Sequence, residues 1–108
     1  MGLLDRITGL FSKSGRDDSL LLQGLEHAKA KRPQEAIAIY NRLLDSRATS
    51  DATRARALFN RALAYSALDD DAKALADLQR VLSLSDLPEN VESAARSQIA
   101  RVRRRNPG

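Results

Sequence analysis

The sequence predicts an all-α protein in which antiparallel helical hairpins stack as a short superhelix behind an N-terminal amphipathic helix. Three observations support this class: apolar residues recur at helical spacing, the few Gly and Pro residues stand at the edges of these runs, and one pattern occurs twice. No stretch alternates polar and apolar residues strictly enough to predict a strand. The breaks between the runs predict helices over about residues 2–12, 18–31, 34–46, 51–68, 71–85 and 89–104.

The N-terminal stretch "MGLLDRITGLF" predicts a short helix with one apolar face, and "SKSGRDD" after it predicts a flexible linker. The apolar face consists of Leu3, Leu4, Ile7, Leu10 and Phe11. We therefore assign residues 1–15 to this helix and linker, and residues 16–106 to a separate helical domain. Three partners for the apolar face stay open: its own domain, a membrane interface or another protein. Over this short stretch the chain resembles the starts of some bacterial membrane-associated proteins.

Two predicted hairpins share one pattern at an offset of 38 residues. Their second helices match at five apolar positions, which are Ala36, Ile37, Tyr40, Leu43 and Leu44 in one and Ala74, Leu75, Leu78, Val81 and Leu82 in the other. Their first helices match at Leu20, Leu21, Gly24, Leu25 and His27 in one and at Leu58, Phe59, Ala62, Leu63 and Tyr65 in the other. A register that holds across two helices indicates an internal repeat of a helical hairpin.

This repeat resembles the tetratricopeptide repeat, a family whose unit is two antiparallel helices in about 34 residues. The resemblance implies a first repeat over about residues 18–47, a second over about 51–86 and a closing helix over about 89–104. The pairs Gly24/Ala62 and Ala36/Ala74 are small, as expected where the two helices of a hairpin cross closely. The longer spacing of 38 residues predicts about one extra helical turn, either in the loop "SRATSDAT" or in a helix.

The resemblance implies a non-enzymatic adaptor or scaffold that binds a protein or peptide partner on its concave side. In such arrays the first helix of each hairpin lines that side, and the groove residues predicted here are Leu21, Leu25, Lys29, Arg56, Phe59, Asn60 and Leu63. Some family members clamp a C-terminal carboxylate with Lys and Asn side chains, but Leu21 and Leu25 hold two of those positions and argue against that ligand. The apolar floor favours a hydrophobic peptide or an amphipathic helix. The alternative is that these residues are core between neighbouring first helices.

Patterns that carry catalysis or bind metals are missing from the sequence, which has no cysteine, no phosphate-binding loop and no zinc-protease motif. The single histidine, His27, matches Tyr65 in the repeat, so we expect it to fill a packing position. The acidic stretch 69–71 matches the basic stretch 31–33, and a place that accepts either charge predicts a connecting turn with helix-capping aspartates. We therefore predict no enzymatic activity, no cofactor and no metal site.

The net charge of +4 comes mainly from the C-terminal segment "ARVRRRNPG". Cations at a helix C-terminus complement the helix dipole, which is the simpler interpretation of these arginines. Nucleic-acid binding through Arg101, Arg103, Arg104 and Arg105 ranks below protein binding, because stacking aromatics are missing from that helix.

The sequence predicts a cytoplasmic location, because no apolar run approaches the roughly 20 residues of a membrane-spanning helix and no secretory signal pattern is found. Peripheral membrane contact through the N-terminal helix stays an alternative. So does self-association, because two repeats leave an open stacking face.

Overall fold

The computed structural model describes the backbone of residues 2–85 and 87–106, and the side chains of residues 15–85 and 87–106. The described residues form five helices and no strand, which confirms the all-α class. The helices are α1 (Gly2–Lys29), α2 (Pro33–Asp45), α3 (Asp51–Ala67), α4 (Asp71–Ser83) and α5 (Glu89–Arg105). From the end of α1 onward, the helix ends predicted from the sequence agree with these bounds to within two residues.

The predicted linker after residue 12 is helical, because α1 runs without a break from Gly2 to Lys29. The prediction of two separate helices was therefore wrong. The stretch "SKSGRDD" contains no proline, and its single glycine, Gly15, costs a helix only about 1 kcal/mol relative to alanine. Polar composition alone did not end the helix. The side chains of the predicted apolar face, Leu3, Leu4, Ile7, Leu10 and Phe11, lie outside the described residues.

The first four helices form two stacked hairpins. Helix α1 packs against α2, and α3 packs against α4, while α2 also contacts α3 and so joins the hairpins. Helix α3 contacts both α1 and α5, so the two first helices and the closing helix form one layer. One core cluster lies between α1 and α2 and includes Ala57 of α3, and the other lies among α3, α4 and α5.

The two hairpin turns have the same backbone conformation at the 38-residue offset. Lys31 and Asp69 both have a positive φ, 62° and 60° respectively. The N–H of Arg32 donates to the carbonyl oxygen of His27 at 2.9 Å, and the N–H of Asp70 donates to that of Tyr65 at 2.9 Å. This bonding satisfies the last carbonyls of a helix through a left-handed residue. The register read from the sequence therefore extends to the backbone of the turns.

The closest approach within the first hairpin is at Gly24. A Cβ atom placed there would lie 2.3 Å from Cε1 of Tyr40, whose ring is fully buried. At the matching positions of the second hairpin, Ala62 and Leu78 are both fully buried in one cluster. The prediction of a close helix crossing at these small residues is thus confirmed for Gly24 by direct geometry.

The connection between the hairpins, residues 46–50, is short and well bonded. The Ser50 side chain accepts a hydrogen bond from the N–H of Thr53 and so caps α3. Arg54 donates to the carbonyl oxygens of Leu44 at 3.0 Å and Ser46 at 2.8 Å. Because the loop is short while α3 has 17 residues against 13 in α2 and α4, the extra turn of the repeat lies in helix α3.

Candidate functional site

The predicted groove residues lie on α1 and α3, two helices that contact each other. Their exposure differs along the surface. Leu21 is buried in the first core cluster. Leu25, Phe59 and Asn60 are half-buried, and Phe59 packs against the second core cluster. Exposed positions are Lys29, Arg56 and Leu63.

An apolar groove of about 440 Å³ opens where α1 and α3 approach the first hairpin turn. Leu63 is the member of the predicted set that lines it, and its side chain is 38% exposed. The complete lining is Ala28, Lys31, Pro33, Leu63, Ala64 and Ala67. Four of these six residues are alanine or leucine, and one positive charge, Lys31, stands at the edge. The groove can accept an apolar side chain next to an anionic group.

Sequence reasoning missed several surface residues near this layer. Leu22 of α1 is 60% exposed, although a leucine at helical spacing usually packs inside. It corresponds to Asn60 in the 38-residue register, so shifting the predicted set by one repeat would have found it. Ala28 and Ala67 have short side chains, and their place in a groove follows only from how the helices end.

A buried ion pair joins the second hairpin to the first. Arg61 of α3 donates from Nε and Nη2 to the two carboxylate oxygens of Asp77 on α4, at 2.8 and 2.7 Å. Its Nη1 donates to the side-chain oxygen of Asn41 on α2 at 2.7 Å. Asp77 is only 4% exposed and the Arg61 side chain is 16% exposed, so the pair is largely buried. The hydrogen bond to Asp77 raises the pKa of Arg61, and the guanidinium also lies 5.6 Å from the centre of the Tyr65 ring.

The acidic stretch 69–71 has three separate structural roles. Asp69 takes the left-handed turn conformation. The side chain of Asp70 accepts from the N–H of Lys73 at 3.2 Å and caps α4. Asp71 accepts a hydrogen bond from Nη2 of Arg105 at 2.9 Å, and also one from the side-chain amide of Asn106. The carboxylates therefore hold the turn and the end of α5, as expected for a connection between helices.

No group of three or more potential metal ligands is found within the residues that the structure describes. The single histidine lies beside a carboxylate, with Nδ1 of His27 at 3.6 Å from Oε2 of Glu35. Both side chains are partly exposed at the first hairpin turn, and Arg32 also approaches Glu35 at 3.8 Å. The His27 and Glu35 pair was not foreseen, because eight residues and a turn separate them in the sequence.

The arginines at the C-terminal end of α5 divide into a bound one and a free set, while Arg96, nearer the start of the helix, pairs with Glu92. Arg105 is held by Asp71 and by the hydroxyl of Ser66. Arg101, Arg103 and Arg104 are exposed and make no ion pair with any side chain that the structure describes. The dipole explanation fits all of them, since they occupy the last turns of the helix. The free set is available to a partner.

None of the helices, over the residues described, combines the length and apolar character needed to cross a membrane.

Comparison with known protein families gives one match. Residues 56–85, which span most of α3 and all of α4, match the family model described as tetratricopeptide repeat. No curated protein and no solved structure matches the chain. Repeats of this kind generally mediate protein–protein interactions, and the family is generally non-enzymatic. With one hairpin matched directly, and its turn geometry found again 38 residues earlier, this chain is a tetratricopeptide-like helical repeat protein.

Proposed function

We propose that this protein is a non-enzymatic adaptor or scaffold that holds an apolar segment of a partner protein against the layer formed by α1 and α3. The observation that carries the proposal is the exposed Leu63 in an apolar groove of about 440 Å³. A second exposed leucine, Leu22, lies on α1, the other helix of this layer. Exposed apolar area next to a shaped groove is typical of surfaces that bind peptides or helices.

The edge of this surface carries positive charge. Lys29 and Arg56 of the predicted set are exposed, and Lys31 lines the groove. Apolar anchors of the partner would supply most of the affinity, while the charges at the rim select a partner with acidic flanking residues. We therefore assign Leu21, Leu25, Phe59 and Asn60 to the floor and its support.

The test uses peptides selected from a random display library on the full chain. Each selected peptide is titrated into the wild type and into the double variant Leu25→Asp/Leu63→Asp, with binding followed by fluorescence anisotropy. Buried carboxylates in an apolar contact are strongly unfavourable, so the double variant should lose binding by more than about 100-fold.

The matched control is Ala38→Asp/Ala76→Asp, which adds the same two negative charges at exposed positions of α2 and α4. This control should bind the peptides as the wild type does. Circular dichroism shows whether each variant stays helical. Equal peptide binding by the folded double variant and the wild type would contradict the groove assignment.

A second candidate function is membrane-surface assembly through the N-terminal part of α1, for which the apolar pattern of residues 3–11 is the supporting observation. Flotation on liposomes containing anionic lipid, with the full chain and with a chain lacking residues 1–15, tests it. Loss of flotation in the shortened chain supports this function, and equal flotation contradicts it. The cytoplasmic location stays a prediction from the sequence.

A further inference from the structure

The closing helix α5 continues the 38-residue register of the first helices. In α3, Ala57 and Ala64 are buried and face the first hairpin, and their counterparts in α5, Ala95 and Val102, are fully buried. Arg61 corresponds to Ile99, which is also buried. Helix α5 therefore packs on the second hairpin in the same way as α3 packs on the first.

The register also identifies a second face of α5. In α1 and α3 the corresponding face contacts the second helix of the same hairpin, α2 or α4. The small residue at the crossing is Gly24 in α1 and Ala62 in α3, and the corresponding residue in α5 is Ala100. Gly24 and Ala62 are buried beneath α2 and α4, whereas Ala100 is exposed. Within the residues described, α5 has the crossing residue without a helix that crosses it.

This second face of α5 is basic. Arg96 stands where α3 has the buried Leu58, and Arg103 stands where α3 has Tyr65. A groove of about 320 Å³ runs along the face between α4 and α5. Its lining consists of Gln79, Leu82, Arg96, Ile99, Ala100 and Arg103. An apolar floor thus lies between two cations, one of which, Arg96, pairs with Glu92 at 3.0 Å.

We propose that this face of α5 binds an acidic amphipathic helix of a partner protein, which lies across Ala100 as α2 and α4 lie across Gly24 and Ala62. The small residue allows close helix approach, and carboxylates of the bound helix pair with Arg96 and Arg103. Arginine in place of leucine and tyrosine excludes an ordinary apolar helix, because pairing with apolar side chains would leave the guanidinium groups desolvated and unpaired. The apolar floor and the lack of aromatic residues in α5 favour a helix over nucleic acid.

The probe is a peptide with the sequence of α4, residues 71–83, held helical by a hydrocarbon staple on its outer side. In the protein, Nζ of Lys73 lies 5.6 Å from the centre of the Tyr65 ring, and Tyr65 corresponds to Arg103. The peptide residue at position 73 should therefore face Arg103. A peptide with Lys73→Glu is compared with the unchanged peptide by fluorescence anisotropy against the full chain.

The wild type should bind the glutamate peptide at least about fivefold more tightly than the lysine peptide, and Arg103→Glu should reverse this preference. Arg104→Glu is the matched control, since it changes the same charge on the neighbouring position and should keep the wild-type preference. Ala100→Trp, at an exposed position, should abolish binding of both peptides while the chain stays folded.

Four results of the binding experiments would overturn the proposal. They are no binding of either peptide, equal binding of both, the same reversal in Arg103→Glu and Arg104→Glu, and preferential binding of single-stranded RNA that Arg103→Glu removes. A concentration-dependent dimer that Ala100→Trp abolishes would assign the face to a second copy and would also contradict it. Because Leu63 lies on another surface, the Leu25→Asp/Leu63→Asp variant should keep the peptide preference, so the two proposals fail separately.

Discussion

The two hairpins share one backbone pattern but solve the packing at their helix crossing with different side chains. The first hairpin places Gly24 against the ring of Tyr40, and the second has Ala62 and Leu78 at the same register. The larger Tyr40 accompanies the smaller Gly24, and the smaller Leu78 accompanies the larger Ala62. The comparison shows that the repeat fixes the combined volume at the crossing rather than the identity of either residue.

The hairpins also differ in polarity. The second contains the buried pair Arg61 and Asp77, where the first has Gln23 and Ile39. Gln23 is exposed, because no described hairpin packs against that side of α1. Arg61 faces α2 and donates a hydrogen bond to Asn41. The ion pair of the second hairpin therefore also contacts the first hairpin. The bond to Asn41 is directional, so it favours one orientation of the second hairpin on the first.

The largest expected effect comes from breaking that pair. Asp77→Ala leaves the Arg61 guanidinium largely buried without its carboxylate, which should lower the free energy of unfolding by about 3–5 kcal/mol. The double variant Arg61→Gln/Asp77→Ile installs the residues of the first hairpin and should recover most of the loss. Urea denaturation followed by circular dichroism measures both. A loss below about 1 kcal/mol for Asp77→Ala would show that the pair is not needed.

The next effect concerns the helix crossing. Gly24→Ala places a methyl group against the Tyr40 ring and should cost about 1–3 kcal/mol of unfolding free energy. Adding Tyr40→Leu, the residue of the second hairpin, should restore most of it. Gly15→Ala is the matched control, because no atom lies within 4 Å of a Cβ there, and it should stabilise the helix by up to about 1 kcal/mol. An equal change in unfolding free energy at the two glycines would contradict the conclusion that the repeat fixes the combined side-chain volume at the crossing.

Tyr40 makes a prediction about alkaline pH. Its hydroxyl is buried without a hydrogen-bond partner among the residues described, and burial raises its pKa to about 12 from 10.0. The unfolded chain ionises this group above pH 10 while the folded protein keeps the proton, so stability should fall by about 2 kcal/mol between pH 10 and 12. Tyr40→Phe should remove this slope.

The same variant should be as stable as the wild type at pH 7, or up to about 1 kcal/mol more stable, since it removes an unpaired polar group. Thermal denaturation at pH 7, 10 and 11 compares the two proteins. An alkaline slope that is identical in both would mean that another group causes it.

The smallest effect is in the two turns. Lys31→Gly should stabilise the protein by about 0.5–1 kcal/mol, because glycine adopts positive φ without the steric cost that lysine bears. Asp69→Gly should gain less, since aspartate tolerates the left-handed region better than most residues. Urea titration of the two single variants compares the gains. A larger gain at Asp69 would show that side-chain contacts, rather than backbone conformation, decide these positions.

Local patterns predicted much of this fold. Apolar spacing and the 38-residue register identified both hairpins, the close crossing at Gly24 and the turn at 69–71, because each of these features has a counterpart at the matching position of the other hairpin. The predicted linker was wrong, since polar residues without proline do not end a helix. The pairs Arg61–Asp77 and Arg105–Asp71 join residues 16 and 34 positions apart, and only the packing of whole helices brings them together. Leu63 of the predicted groove set lines the observed groove, but its other lining residues escaped prediction for the same reason, because the groove forms where three helices end.

The most direct test of the proposed binding surface is an amide chemical-shift map of the isotopically labelled full chain, titrated with a peptide selected on it. We expect the largest shifts at Leu22, Ala28, Leu63 and Ala67, with little change on the outer side of α2 around Ala38. Shifts confined to the outer faces of α2 and α4, with Leu63 unchanged, would contradict binding in the groove between α1 and α3.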